Sequence, residues 1–398
     1  MVKMIYREKI MAALETRRAD FAHFDTEFRE QMKRYAEALD ALAATPGERL
    51  RAQLNGMDAP GALPTAEMEQ SDSLFIRFAA DWRAQEDARR WSFETLAGRT
   101  TFAADGSQIL PSKDFSVPVA AVQVAWFENA HTPTGGYVKD ASFEILPPAE
   151  ILVRTGGATE LSEQVVHRRR YGMEVAALRS FMYGVAARGF DASKPPVVFF
   201  DSLLVISFAE LLPDEQRDFY VTEITSLLDA SKQTGVPLVG YIDTSYARDL
   251  VNMLQAAFEL PDAQRLHDSA LLADRMTWGD RTAFFCCARR GILESYGDEW
   301  RRGVGFTYLQ TTADGAPSRL DIPVWVYERG LLDYVVDTVR GEIVVGNGYP
   351  YAIEAADQAA VLSGRDREAF YTVFQEFAER ERLRLRVARK AISKAQRR

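Results

Sequence analysis

Apolar residues in the first part of the chain recur at three- and four-residue steps, with Ile10, Leu14, Phe21, Phe24 and Phe28 on one stripe. That spacing predicts amphipathic helix over residues 4 to 56. Pro60, Gly61 and Pro64 interrupt it, and a second helical piece is expected from Glu67 to Leu96. From Arg99 the period shortens to that of strands. TTFAADGSQI, VPVAAVQVAWFE and GYVKDASFEIL are separated by turns rich in Pro, Gly and Asn, which implies an antiparallel meander. A long helix from Leu161 to Arg188 follows, then PPVVFFDSLL, whose run Val197 to Phe200 reads as a fully buried strand. Another helix and another buried strand, VPLVGYID, come next. WGDRTAFFCC and SRLDIPVWVYE read as further strands, GNGYPYAIEAADQAAVL as a turn opening a helix, and a last helix runs into the C-terminal residues.

Three hairpin-linked strands followed by helix, strand, helix and strand is the ribonuclease H-like order. The expected class is therefore α/β, a mixed sheet flanked by helices, with an N-terminal helical arm and a C-terminal helix. The expected regions are a helical part over 1–97, a core over 98–365, and a C-terminal helix with a basic tail over 366–398.

Composition narrows the chemistry. With 398 residues, 47% of them hydrophobic, the chain can bury a sizeable core. A net charge of −9 argues against a protein coated for nucleic acid, although a phosphate-cleaving site gathers carboxylates and needs only a local basic groove. From Arg380 to Arg398 nine Lys or Arg stand against Glu381 alone, which suits either a solvated end or a grip on an acidic partner. Cys286 and Cys287 are adjacent, so neither a disulfide framework nor a CxxC metal spacing is expected, and a reducing cytoplasm fits. Charges throughout the first residues exclude a signal peptide, and no apolar run is long enough for a transmembrane helix. The four histidines stand in no HExxH or HxH spacing, and neither GxxxxGK[ST] nor GxSxG occurs.

Four acids remain as candidates. Asp105 follows the strand residues Thr101 to Ala104 and precedes Gly106 and Ser107; by itself it reads as a turn. Glu174 steps by four and three onto Leu178, Phe181 and Val185, so it lies in the apolar stripe of its helix and must be paired, protonated or metal-bound; Arg168 or Arg170 could pair with it. Asp201 ends the buried run Val197 to Phe200, at the carboxyl end of a central strand where α/β sheets collect ligands. Asp357 shares a helix face with Ile353, Ala360 and Val361, which points it inward. Such hard oxygen ligands, brought together at one sheet edge, suit Mg²⁺ or Mn²⁺, and two such ions hydrolyse phosphodiesters.

The chain resembles the NurA nuclease family in ADGSQI from Ala104, VVFFDSLL from Val197, PLVGYIDTS from Pro237, WGDRTAFF from Trp278, RLDIPVWV from Arg319 and GNGYPYAIEAADQAAVL from Gly346. The resemblance implies a Mn²⁺- or Mg²⁺-dependent DNase with 5′ to 3′ exonuclease and single-strand endonuclease activity. It also implies a homodimer that works beside a HerA-type hexameric ATPase in resecting DNA ends, during repair or defence. Asp105 matches the family's first-strand metal ligand, Glu174 its helix acid and Asp201 its second strand acid. Asp357 stands where members often carry His, and Asp201-Ser202-Leu203 replaces the usual Asp-Gly-Ser-Leu. Lys139, Arg281 and Tyr349 match positions near the site and are candidates for DNA contact. Two other readings stay open: a catalytically weak adaptor or DNA-binding subunit of a HerA-type complex, and a ribonuclease or Argonaute-like enzyme on the same fold.

Overall fold

The computed structural model of the chain describes residues 6–70, 73–80, 82–155 and 157–386. Most of the expected basic tail, residues 387–398, lies outside the described residues. Two compact units are built from interleaved stretches: the larger from 80–242, 291–304 and 320–398, the smaller from 1–79, 243–290 and 305–319.

The larger unit contains helix α1 (Gln85–Leu96), strands β1 (Thr101–Ile109), β2 (Ala120–Asn129) and β3 (Tyr137–Leu146), helix α2 (Glu163–Arg188), strand β4 (Val197–Phe200), helix α3 (Asp214–Thr234) and strand β5 (Leu238–Ile242). After the chain returns it adds Leu320–Pro323, the second part of strand β6 (Ser318–Pro323), and helices α4 (Leu332–Val345), α5 (Tyr351–Ala360) and α6 (Gly364–Arg380). Its strands lie in the order β6-β5-β4-β1-β2-β3. The first three form the antiparallel meander, while β4 runs parallel to β1 and β5 parallel to β4. This is the ribonuclease H-like mixed sheet that the element order implies, and helices flank it.

Strand alternation decides which helix meets which residue. On one face of β1, Phe102 stacks on Phe181 of α2 with ring centroids 4.1 Å apart, and Gly106 lies against the same helix. On the opposite face, Thr101 donates a 2.8 Å hydrogen bond to Glu342 of α4. Gln123, the β2 partner of Ser107, reaches the carbonyl oxygens of Ala359 and Ala360 at the end of α5. The second oxygen of the buried Glu342 accepts from the Ala352 N–H, 2.8 Å away, so one carboxylate ties the start of β1 to the start of α5. With both faces covered, all four residues of β4 are buried, which is why its sequence shows no polar alternation.

The smaller unit carries the helical arm as three helices, Arg7–Glu15, Arg18–Ala43 and Gly47–Leu54. Its strand Gly61–Pro64 pairs with Phe285–Ala288, which in turn pairs with the strand Val304–Leu309 through Gly305 and Phe306. The buried Arg319 holds Asp249 at 2.6 Å.

Three expectations need correction. The stretch from Glu67 to Leu96 is not one helix: a short helix, Ala66–Gln70, is followed by the strand Phe75–Ile76, which pairs with Arg281–Thr282. Asp105 is not at the end of β1: the strand runs on to Ile109, as far as the segment TTFAADGSQI, because β2 pairs with it along its whole length. VWVYE turns into a short helix, Val324–Glu328, where Pro323 ends the strand and opens the helix. Among the described residues no helix is long and apolar enough to cross a membrane.

Candidate metal and nucleic-acid site

The register of the two parallel strands brings the first pair of acids together. Thr101 stands opposite Val197 and Ala103 opposite Phe199, so the same offset carried forward sets Asp105 level with Asp201 on neighbouring strands. Asp201 leaves the sheet one residue past the end of β4 and is exposed. The turn behind it is fixed from below. Asp321 of β6 accepts the Leu204 N–H at 3.0 Å, and Tyr296 both donates to the Leu204 carbonyl and accepts the Ile206 N–H. A Cβ on Gly240 of β5 would come within 2.6 Å of the Ser202 carbonyl oxygen, so this turn needs glycine beside it. Tyr349, in the loop before α5, donates to Asp201 Oδ1 at 2.8 Å and packs edge-on against Tyr241.

Glu174 arrives from α2, over Gly106. A Cβ on that glycine would lie 2.4 Å from Glu174 Oε1 and 2.7 Å from Arg170 Cγ, so only glycine lets the helix acid approach the strand this closely. The Glu174 side chain is nearly fully buried, at 7% exposure. Its Oε1 has no hydrogen-bond partner. The Arg170 guanidinium stands 3.3 Å away as an ion pair, and it donates to the Gly106 carbonyl instead. The nearby Gly106 N–H favours the charged carboxylate by proximity, without hydrogen-bond geometry to that orphan oxygen.

Electrostatics links the acids. Burial raises the Glu174 pKa to about 7; Arg170 opposes this, while Asp105 and Asp201 add to it. Burial is also the main cause at Asp105, whose pKa is raised to about 6; the Gly106 amide and Arg170 oppose, and Asp357 and Asp201 reinforce. Asp105 and Glu174 are thus both harder to ionise because neighbouring carboxylates are present, the behaviour of negative charges sharing one small volume. Among the described residues no three Asp, Glu, His or Cys side chains stand close enough to enclose an ion as they are placed here.

Asp357 departs from expectation in its surroundings. It is exposed, because the arc of α5 that meets the sheet is Ala352, Ile353, Ala355, Ala356 and Ala360. Its charge nonetheless reaches Asp105, on the strand face that α5 covers.

A family model for the NurA domain matches residues 99–362, more than half of the chain. The chain belongs to the NurA family. It is therefore a nuclease-family protein. Among solved structures, a NurA crystal structure is similar with a TM-score of 0.40 and 10% identity, covering 69% of this chain and 88% of that one. A NurA bound to dAMP and manganese has a TM-score of 0.33 and 9% identity, covering 66% and 84%. An Argonaute of Aquifex aeolicus has a TM-score of 0.24 and 10% identity, covering 66% of this chain and 28% of that one. No curated protein matches.

The remaining NurA-derived candidates are placed differently. Lys139 is exposed on β3, opposite Phe127 of β2, two strands from β1 on the Asp105 face. Arg281 belongs to the smaller unit, is 2% exposed, and holds Glu67 through two hydrogen bonds of 2.8 and 2.6 Å, so its guanidinium is engaged within that unit. The structure adds residues that sequence reasoning missed. A cavity of about 320 Å³ beside Asp105, Glu174 and Asp201 is also lined by Gln164, His167, Tyr171 and Phe208. His167, Arg170, Tyr171 and Glu174 fall at i, i+3, i+4 and i+7 of α2, a spacing that marks one helix face. That periodicity was the available signal.

Proposed function

We propose that the chain is a metal-dependent deoxyribonuclease in which Asp105, Glu174 and Asp201 hold divalent cations, two Mn²⁺ or Mg²⁺, with Asp357 at the rim. The observation that carries this reading is the buried Glu174 carboxylate set over Gly106 beside Asp105, with its Oε1 in an ion pair with Arg170 and without a hydrogen bond. Arg170 supplies one positive charge beside several acids, and a buried carboxylate oxygen without a hydrogen bond is stabilised by further positive charge. Oxygen donors from three separate elements match the preference of hard divalent cations. Bound there, such ions supply neutralising charge to a scissile phosphate and lower the pKa of water.

The chain's own groups have distinct tasks. Asp105 and Glu174 are fixed from opposite faces of β1, so both approach the end of β4 without long mobile stems. Tyr349 restrains the exposed Asp201 carboxylate, and Arg170, anchored on the Gly106 carbonyl, keeps a fixed positive charge beside the acids that can face a phosphate oxygen. Proton uptake competes with cation binding, since the raised pKa values leave these acids partly protonated near neutrality. We propose further, on the family resemblance, that digestion proceeds 5′ to 3′ with single-strand endonuclease activity. On the same ground the protein works as a homodimer with a HerA-type ATPase, in end resection for repair or defence, and its cysteine usage suits a reducing cytoplasm.

Purified protein with Mn²⁺ is expected to degrade linear DNA, and Asp105→Ala and Asp201→Ala to abolish this while melting as cooperatively as wild type. Intact DNA with folded wild type, in Mn²⁺ and in Mg²⁺ and with the ATPase added, would favour the adaptor reading.

A further inference from the structure

The basic C-terminal stretch begins on a fixed backbone. Helix α6 closes with Arg382 in the left-handed conformation, φ 56°, where the Arg382 N–H bonds the Glu379 carbonyl and the Leu383 N–H bonds the Ala378 carbonyl. A tight turn follows, closed by the Leu385 N–H on the Leu383 carbonyl at 2.9 Å. Ser116, in the loop between β1 and β2, then holds the next residues. Its hydroxyl donates to the Arg384 carbonyl at 3.1 Å and accepts the Arg386 N–H at 2.7 Å, and its own N–H donates to the Arg386 carbonyl at 2.9 Å. Phe115 beside it stacks on Tyr371 of α6 with ring centroids 4.6 Å apart. Arg382, Arg384 and Arg386 are thereby fixed by their backbone while all their side chains stay exposed. Glu381, the acid of this segment, is engaged by Arg380 at 3.0 Å. Among the described residues none of the three arginines meets a carboxylate, whereas other surface arginines of this unit are paired, Arg169 with Glu144 and Glu150 and Arg217 with Asp214.

Their place in the fold gives the charge a use. Asp201 stands level with Asp105, but β1 runs on to Ile109, so the β1–β2 hairpin projects about 13 Å past the acids at about 3.3 Å per residue. The loop carrying Ser116 closes that projecting end, where Tyr371 also donates to the Leu110 carbonyl. Helix α6 lies on the sheet face of Asp105: Ala125 and Ala141 continue that face in register, and Phe143, two residues on, meets Phe370 with centroids 6.3 Å apart. The arginines therefore stand at the carboxylate end of the sheet. We propose that Arg382, Arg384 and Arg386 form a phosphate-binding strip that grips the DNA backbone at a distance from the carboxylates, outside the cavity. This rests on the nuclease reading above and adds a second point of attachment for its substrate. Guanidinium groups pair bidentately with phosphate oxygens, and such contacts fix the register of a strand without reading its sequence. On a chain of net charge −9, which repels DNA as a whole, the strip supplies local attraction. An acidic protein would gain nothing from docking beside the carboxylates, whereas a strand cut there must pass this end of the sheet.

The test is DNA binding by the full chain in Ca²⁺, read as the anisotropy of a labelled single-stranded oligonucleotide over a range of salt concentrations, with DNA integrity checked on a gel. The double variant Arg384→Gln, Arg386→Gln is compared with Arg301→Gln, Arg302→Gln, which removes the same charge from another exposed pair. That pair lies at the opposite end of the sheet, since Trp300 before it donates to Asp229 near the end of α3, where the chain turns into the start of β5. The first variant should bind roughly tenfold more weakly, with the slope of log affinity against log salt reduced by about 1.4, two phosphates at about 0.7 each. The second should bind like wild type, and both should melt like it. Equal weakening in the two variants, or wild-type binding by Arg384→Gln, Arg386→Gln, overturns the proposal. So does tighter binding of a polyglutamate peptide than of an oligonucleotide of equal charge, lost in the same variant, which would assign the strip to an acidic protein. Cutting is read with wild type in Mn²⁺: failure there sinks the nuclease reading, whereas the paired variants decide the strip whichever way cutting goes.

Discussion

Replacing Glu174 by Gln should stabilise the metal-free protein above neutral pH while removing its capacity to bind cations. The folded-state pKa is raised from 4.5 to about 7, so the native protein holds this proton more tightly than the unfolded chain does. Stability from that group is then fully present below about pH 4.5 and is lost as pH rises through about 7. At pH 8 the ionised carboxylate is less favourable in the fold than in the unfolded chain by about 3 kcal/mol, at 1.4 kcal/mol per pKa unit. Gln is isosteric with the protonated acid and has no charge to desolvate. In EDTA at pH 5 the two proteins should therefore melt alike, and at pH 8 the variant should melt a few degrees higher. Saturating Mn²⁺ at pH 8 should reverse the order, because ligand binding to the native state raises only the wild-type melting temperature. Parallel pH dependences for the two proteins in EDTA would refute the reasoning, since Glu174 would then carry no uncompensated charge.

Three further outcomes follow from the same geometry. Mn²⁺ affinity by calorimetry should rise from pH 5 to pH 8 with proton release, because Asp105, at about 6, and Glu174, at about 7, must both ionise to bind; a pH-independent affinity would contradict this. Gly106→Ala places a methyl 2.4 Å from Glu174 Oε1 and should destabilise by about 1–3 kcal/mol while abolishing nuclease activity. Chemical denaturation and a DNA-cleavage assay read the two effects. Arg319→Met leaves the buried Asp249 without its 2.6 Å partner and should destabilise by about 3–5 kcal/mol in denaturant, with Mn²⁺ affinity unchanged in whatever fraction remains folded.

The frame of the site was readable from the sequence because each supporting element has its own period. TTFAADGSQI and VVFF differ in kind, one partly alternating and one wholly apolar, and that difference places them at the meander and at the buried centre of the sheet. Glu174 was legible as an acid in an apolar stripe, and the structure buries it there with Arg170 as its ion-pair partner. What could not be read was set by contacts distant in sequence. Whether β1 stops at Asp105 depends on β2 pairing as far as Ile109↔Ala121. Asp357 looked inward on its periodicity, but the docking angle of α5 gives the sheet its alanines and turns the acid outward. Arg281 looked available until Glu67, 214 positions away, accepted a hydrogen bond from each of its terminal nitrogens.

Glycine at 106 links the fold to the chemistry. A strand residue with a side chain on that face would hold α2 off, and Glu174 would then stop short of Asp105. Removing that side chain weakens the strand slightly and brings two carboxylates into mutual repulsion, both unfavourable for the metal-free fold. The surrounding structure absorbs this, since Phe102 on Phe181 and the Thr101–Glu342–Ala352 bridge fix β1 from both faces on either side of the close approach. A strand clamped in this way cannot relax to separate the acids. Their repulsion is relieved by protons or by cations, which is why the acidic pH that favours these two acids in the metal-free fold should also be the pH at which the site binds metal least.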